Sequence, residues 1–396
     1  MRESRDSARP DTAAAPGARR RPGLGRVVAA QGALGAVAAG GALASPAGWL
    51  VASAGVLALV PLLARRDGRR LDETLTRRWG SGPVTGGPDG PPGVVAGAAP
   101  REDLGLVHRL LPALDVVPVP DRNGPELGMV ADGRGSAAVL ELPGDALPSL
   151  PVELLAAWLR DDPAAPAGAQ LLVEQFGLPP WDLLYRYRPT LAYRQLPAQG
   201  VPVAIRSWLV VRHEPLDAPE SVVRRGGGAR GAGAALAAAT ARLRSRLAAA
   251  GVPATPLGPE RARAVLRQTG DAVGAGEPGP GCWAGRAATH CVAAAEVASG
   301  HDWARLLGGL GQAAADRVLV GAAVALHDGE PRVRAAVRLV GAAGEQVAAE
   351  RDRLTAAGLL GRPPLDPGAG VLATMPLAAP AHPPAAAAGS ARAARR

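Results

Sequence analysis

Hydrophobic and polar positions divide the chain into stretches of different character. From Val27 to Ala64, 38 consecutive residues carry no charge. As one helix that run would span about 57 Å, nearly twice the roughly 30 Å hydrocarbon core of a bilayer. Ser45-Pro46-Ala47-Gly48 interrupts it with turn chemistry, which predicts two helices of about 18 residues, each just long enough to cross. Two other readings compete. Ala42-Leu43-Ala44 fits a signal-peptidase site, but the apolar run exceeds the usual h-region. A buried helical pair in a soluble protein would not need the arginines at both ends.

Beyond the apolar run the patterning changes. LDETLTRRW after Arg70 continues helical for about two turns. Residues 81–93 are rich in Pro and Gly and read as linker. From about 100 to 376 short strand-like and helix-like runs mix, and 377–396 is an Ala/Pro-rich tail. Alternating runs at 129–142, turning on Asp132-Gly133, predict a hairpin. Strands are predicted at 169–177, 201–215 and 290–298, and at 316–328 and 331–341 about a turn at Asp328-Gly329. Helices are predicted at 150–160, 226–251 with Gly251 as the C-terminal cap, and 343–358. The expected fold is a mixed α+β (α–β) domain, 100–376, on a transmembrane hairpin, 27–64. A basic tail, 1–26, precedes the hairpin, and 65–99 joins it to the domain. RSRLAAAGVPATPLGP (244–259) echoes RDRLTAAGLLGRPPLDP (351–367), which points to two related units.

Charge reinforces the hairpin. The net charge is +9, and every basic residue among the 44 is arginine. Residues 1–26 hold seven Arg against three acids, 65–70 four against one, and the last five residues three more. These stretches account for the whole excess, so no basic face interleaved with aromatics exists to bind nucleic acid. Arg19, Arg20, Arg21 and Arg26 precede the first helix; Arg65, Arg66, Arg69 and Arg70 follow the second, and none lies in the turn. The positive-inside rule then places both ends and the main domain in the cytoplasm of a plasma-membrane protein. The second group is set to meet anionic lipid head groups. Gly32, Ala36 and Gly40 recur along the first helix as a face for a partner helix.

Candidate chemistry is sparse. Without lysine there is no Walker A or Schiff-base residue. Gly226, Gly228 and Gly231 satisfy G-x-G-x-x-G within the stretch up to Gly233. A dinucleotide turn, however, follows its strand directly and has an acid about twenty residues on. Here the strand ends earlier, and no acid lies between Gly226 and Glu260. With Arg224, Arg225 and Arg230 nearby, what remains is a helix start that could hold an anion. Cys282, His290, Cys291 and His301 match no zinc spacing, and neighbours on a strand point to opposite faces. The same geometry separates His290 from Cys291 as a nucleophile–base pair. Two cysteines make no disulfide framework and fit a reducing compartment. No D-x-D or G-x-S-x-G occurs. Asp161-Asp162 reads as a helix end, and Tyr185, Tyr187 and Tyr193 as a core edge or exposed patch. No catalytic, cofactor or metal residue is assigned.

Several strings carry a family resemblance: the arginine-flanked hairpin, IRSWLVVRHEPLDAPESVVRRGGGARGAGAAL (205–236), RLAAAGVPATPL (246–257) and PPLDPGAGVLATMPL (363–377). Together they resemble EccE, a membrane component of actinobacterial type VII (ESX) secretion systems, over the hairpin and most of 170–377. The resemblance implies a degenerate glycosyltransferase-like α/β fold without established activity. It also implies EccB, the ATPase EccC and EccD as partners, with no catalytic residue to carry over. The expected role is therefore a non-catalytic structural subunit. The rival is a membrane-tethered glycosyltransferase-like enzyme or a nucleotide- or anion-binding regulator.

Overall fold

The computed structural model describes residues within 24–70, 104–177, 202–270 and 277–378, with short breaks. The predicted helix at 71–79, the linker at 81–93 and the three tyrosines lie outside the described residues. The chain divides into two compact units, Met1–Arg78 and Trp79–Arg396.

In the first unit, α1 (Leu24–Ala42) and α2 (Pro46–Leu63) form the predicted hairpin. Ser45 caps α2: its Oγ accepts from Gly48 N at 3.1 Å, and Pro46 opens the helix, where a missing N–H costs nothing. A Cβ on Gly40 would collide with the Gly48 carbonyl and the Ala52 backbone. Gly40 is therefore spent inside the hairpin, which corrects its assignment to a partner-helix face. Leu34, Trp49, Leu50 and Val56 are exposed. Among the described residues no helix is long and apolar enough to cross a membrane; in α1, Ala and Gly supply most of the length. After α2, β1 (Arg65–Arg66) pairs antiparallel with β2 (Arg69–Arg70).

The second unit is a three-layer α+β sandwich. Its elements run α3 (Leu106–Leu110), β3 (Asp115–Val119), β4 (Leu127–Ala131), β5 (Ser136–Leu142), α4 (Val152–Asp161), β6 (Gly168–Phe176), β7 (Ala204–His213) and α5 (Pro219–Val223). They continue through α6 (Gly228–Ala249), β8 (Thr255–Pro256), α7 (Pro259–Gly270), β9 (Glu277–Gly279), β10 (Cys282–Ala284) and β11 (Thr289–Ala295). Last come α8 (Gly300–Leu310), β12 (Arg317–His327), β13 (Glu330–Gly341), α9 (Gly344–Ala356) and α10 (Pro367–Ala373). The sheet order is β3-β4-β5-β7-β6-β12-β13-β11-β10-β9, with β8 paired to β5. Leu155 and Trp158 of α4, Leu236 of α6, Trp303 of α8 and Leu354 of α9 pack on one face. Leu106 of α3, Leu266 of α7 and Val371 of α10 pack on the other. With both faces covered, all nine residues of β6 are buried.

Every neighbouring strand pair is antiparallel. The glycosyltransferase-like α/β expectation is corrected on that ground. A nucleotide crevice opens at the carboxyl ends of parallel strands where their order reverses, and among the described residues this sheet has no parallel neighbours.

The pairing register reveals a duplication. Ala131 faces Ser136 as Ala284 faces Thr289. Ser136 faces His213 as Thr289 faces Gly341, and Gly168 faces Arg212 as Arg317 faces Val340. These correspondences make Gly321 the counterpart of Leu172, and the two face each other across β6 and β12. A pseudo-twofold axis thus passes between them. The sequence echo marks the same relation: α6 and α9 both end in Schellman caps, Val252 N donating to Leu247 O and Leu359 N to Leu354 O. Gly251 (φ 76°) and Gly358 (φ 73°) supply the left-handed residue each cap requires. The first half of the repeat inserts α5 and the glycine turn between its last strand and its helix; the second half connects them directly.

Leu377 and Ala378 are buried, and Ala378 N donates to Gln170 Oε1 at 2.9 Å.

Candidate functional site

The glycine-rich segment lies in the insertion peculiar to the first repeat. β7 ends at His213, α5 intervenes, and Gly226, Gly227 and Gly228 then take φ of 101°, 72° and 53°. Only glycine adopts three such angles in succession without strain. Gly231, the last of the G-x-G-x-x-G pattern, allows α6 to approach α5, since a Cβ there would meet the Val222 carbonyl. A Cβ on Gly233 would press on Val119. The glycines therefore serve a turn and close packing. Around them Arg224 and Arg230 are exposed, and Arg225 donates to Ser221 O at 2.8 Å. Burial, with the like charges of Arg242 and Arg224, pulls Arg225 below the usual guanidinium range.

Beneath this turn the polar groups satisfy one another. His213 Nε2 lies 3.1 Å from Ser221 Oγ, a serine–histidine contact of catalytic reach. The serine hydrogen, however, goes to Ala218 O at 2.9 Å, and both side chains are buried. Burial pushes the His213 imidazole below its ordinary value, so the pair stays neutral and acts as packing. Asp162 caps α4 and accepts two hydrogen bonds from Arg242, at 2.8 and 2.6 Å. The predicted helix end at Asp161-Asp162 is thus an anchor for α6. Arg212 bridges Asp132 in the β4–β5 turn (2.9 Å), Glu214 (3.0 Å) and Leu377 O (3.1 Å). Burial alone would raise the Asp132 carboxyl, but Arg212 outweighs it and holds the group below the carboxylate range.

Two more buried arginines serve the core. Arg317 of β12 and Arg338 of β13 donate to Gln268 O and Thr269 O at the end of α7, where carbonyls and the helix dipole favour positive charge. Arg317 also meets Glu174 at 3.1 Å. Nothing in the residue order marks these arginines as internal.

The cysteine–histidine set is not brought together as a site. Cys282 and Cys291 face each other on β10 and β11 and form a disulfide, which corrects the reading of two unlinked thiols. The antiparallel register, not a framework of many cysteines, joins them. His290 is buried on the opposite face of β11, beside Val292, and His301 lies exposed in the first turn of α8. Among the described residues no group of three or more His, Cys, Asp or Glu could hold a metal ion. Sequence reasoning missed Arg351, whose Nη1 lies 3.2 Å from Cys282 Sγ and 3.1 Å from Gly281 O.

By architecture this is a duplicated antiparallel α+β module whose buried polar groups serve packing, capping and crosslinking. Residues 201–299, from β7 to the strand after the disulfide turn, match the family model described as "Putative type VII ESX secretion system translocon, EccE". No curated protein matches the chain.

Proposed function

We propose that the chain is a non-catalytic structural subunit of the type VII inner-membrane complex, assembled with EccB, EccC and EccD homologues. The EccE match over 201–299 carries this reading. That segment contributes strands and helices to the body of the sheet, so the family relation concerns the module itself and not an appendage.

The hairpin is its anchor. Support comes from the charge-free run, the arginines at both ends and the exposed Leu34, Leu50 and Val56. At about 1.5 Å per residue, the 18 residues of α2 fall short of a roughly 30 Å hydrocarbon core, so the two helices enter the bilayer as a packed pair. α1, poor in large side chains, enters packed on α2 through Gly40, because helix pairs in lipid are held by close backbone approach. The β1–β2 arginines then face anionic head groups, each worth about 1 kcal/mol near such a surface.

The experiment is export by a strain lacking the chain, complemented either with the full sequence or with 65–396. The full sequence restores export of the system's substrates and 65–396 does not. Restoration by 65–396 would remove the anchoring role. Nucleotide-sugar turnover by the purified full chain would overturn the non-catalytic one.

A further inference from the structure

We propose that Cys282 and Cys291 form a reversible thiol–disulfide site that exchanges with low-molecular-weight thiols, with Cys282 as the reacting sulfur and Arg351 as its positioning residue. The repeat supplies the first argument. Cys282 and Cys291 occupy the positions held in the first half of the repeat by Met129 and Ala138, which pair in the same register. The same hairpin is therefore built there with no crosslink, so the fold does not need one. The second argument is local. Val292 N donates to Gly281 O, which makes Cys282 and Cys291 a non-hydrogen-bonded pair with Cα atoms 4.1 Å apart, the arrangement that brings facing side chains closest.

The two sulfurs differ in surroundings. Cys291 is fully buried, while Cys282 is half-buried. Arg351 Nη1 donates to Cys282 Sγ, and its Nε and Nη2 are held by Asp352 at 2.9 and 2.7 Å. Gly281 (φ 65°) makes room for the guanidinium, since a Cβ there would run into Arg351 Nη1. A cation fixed beside a sulfur favours thiolate, the attacking form.

In the oxidising direction the Cys282 thiolate attacks one sulfur of a small disulfide RSSR, forming Cys282–S–SR and releasing RS⁻. Cys291 then gives its proton to that RS⁻ and attacks Cys282 Sγ, expelling the second RS⁻, which takes a proton from water. Two electrons pass from the cysteine pair to RSSR, and the reverse sequence reduces the protein with two RSH. Reduction frees the three-residue β10, and β9 beyond it, from their covalent tie to β11.

The test uses the full chain in detergent, equilibrated in glutathione buffers from fully reduced to fully oxidised and quenched with a mass-tagging alkylator. Wild type should pass reversibly between two tags and none with an unchanged circular dichroism spectrum. In the reduced protein, iodoacetamide should label Cys282 well before Cys291. Arg351→Met should slow Cys282 labelling at pH 7 by about tenfold, the effect of one unit of thiol pKa, and move its pH profile upward. Arg351→Lys should fall between wild type and Met, and it supplies the comparison if Arg351→Met does not fold. Two tags throughout in a folded protein, reduction only on unfolding, or Cys282 labelling equal in folded wild type and variant would each overturn the proposal.

Discussion

Arg212 holds three parts of the molecule at one point: the β4–β5 turn through Asp132, the end of β7 through Glu214, and the segment after α10 through Leu377 O. Removing it takes a shared arginine away from two buried carboxylates, and breaking a buried ion pair typically costs about 3–5 kcal/mol. Arg212→Met should lower unfolding stability by that amount in urea titrations of the full chain. Arg261→Met, removed from an exposed pair with Glu141, should cost under about 1 kcal/mol. His213 adds a pH dependence. Its ordinary value is 6.5, and burial lowers it in the fold, so below pH 6.5 the unfolded chain takes up a proton that the folded chain resists. Stability is therefore full above that pH and falls as pH drops toward the folded value. His213→Gln should flatten the slope between pH 7 and 5. Little at this scale was legible beforehand. With arginine as the sole basic residue type, nothing distinguishes buried Arg212, Arg317 or Arg338 from a surface charge until the strands are paired.

Individual elements were legible where they carry their own signal. Alternation with Asp132-Gly133 or Asp328-Gly329 gave both hairpins, the apolar runs gave β6 and β7, and Gly251 marked the end of α6. Those signals are local and physical: period two, left-handed turn residues and a helix stop. The short strands β3, β9 and β10 pair with neighbours close in sequence, but they are too short to carry an alternating run that announces them. α8 carried a usable start signal, Ser299 accepting from Asp302 N at 3.2 Å, but its glycines obscured the helical period. The repeat was visible only at its caps, where both glycines are required. Gly251→Ala and Gly358→Ala should each cost about 1 kcal/mol in the same urea titrations, since both force alanine into a left-handed angle. In the hairpin, Gly40→Leu and Gly41→Leu add the same apolar surface, yet a side chain at Gly40 strikes α2 while one at Gly41 meets open space. Immunoblots of membrane fractions should show the Gly40 variant depleted severalfold and the Gly41 variant near wild type. Equal levels would mean that the hairpin does not depend on that contact.

For the molecule as a whole, a charge-free helical pair bounded by arginines precedes an α+β module made of two pseudo-symmetric halves. The segment that matches the EccE family model, 201–299, runs from the last strand of the first half into the second half. It includes the insertion with its glycine turn and arginines, and it includes the disulfide hairpin. Composition and motif failures narrowed the function before any fold was known, because a chain without lysine lacks several phosphate and carbonyl chemistries outright. The sequence echo hinted at two related units, but their extent and the antiparallel sheet were beyond reach of sequence, since register is a property of strands taken together. The measurement that bears most directly on this account is co-purification of the tagged full chain from membranes with its EccB, EccC and EccD homologues, alongside a Gly40→Leu chain adjusted to the same membrane level. The account predicts that wild type recovers all three partners as one assembly and that the variant recovers severalfold less. Recovery of the wild-type chain alone, free of all three, would contradict it.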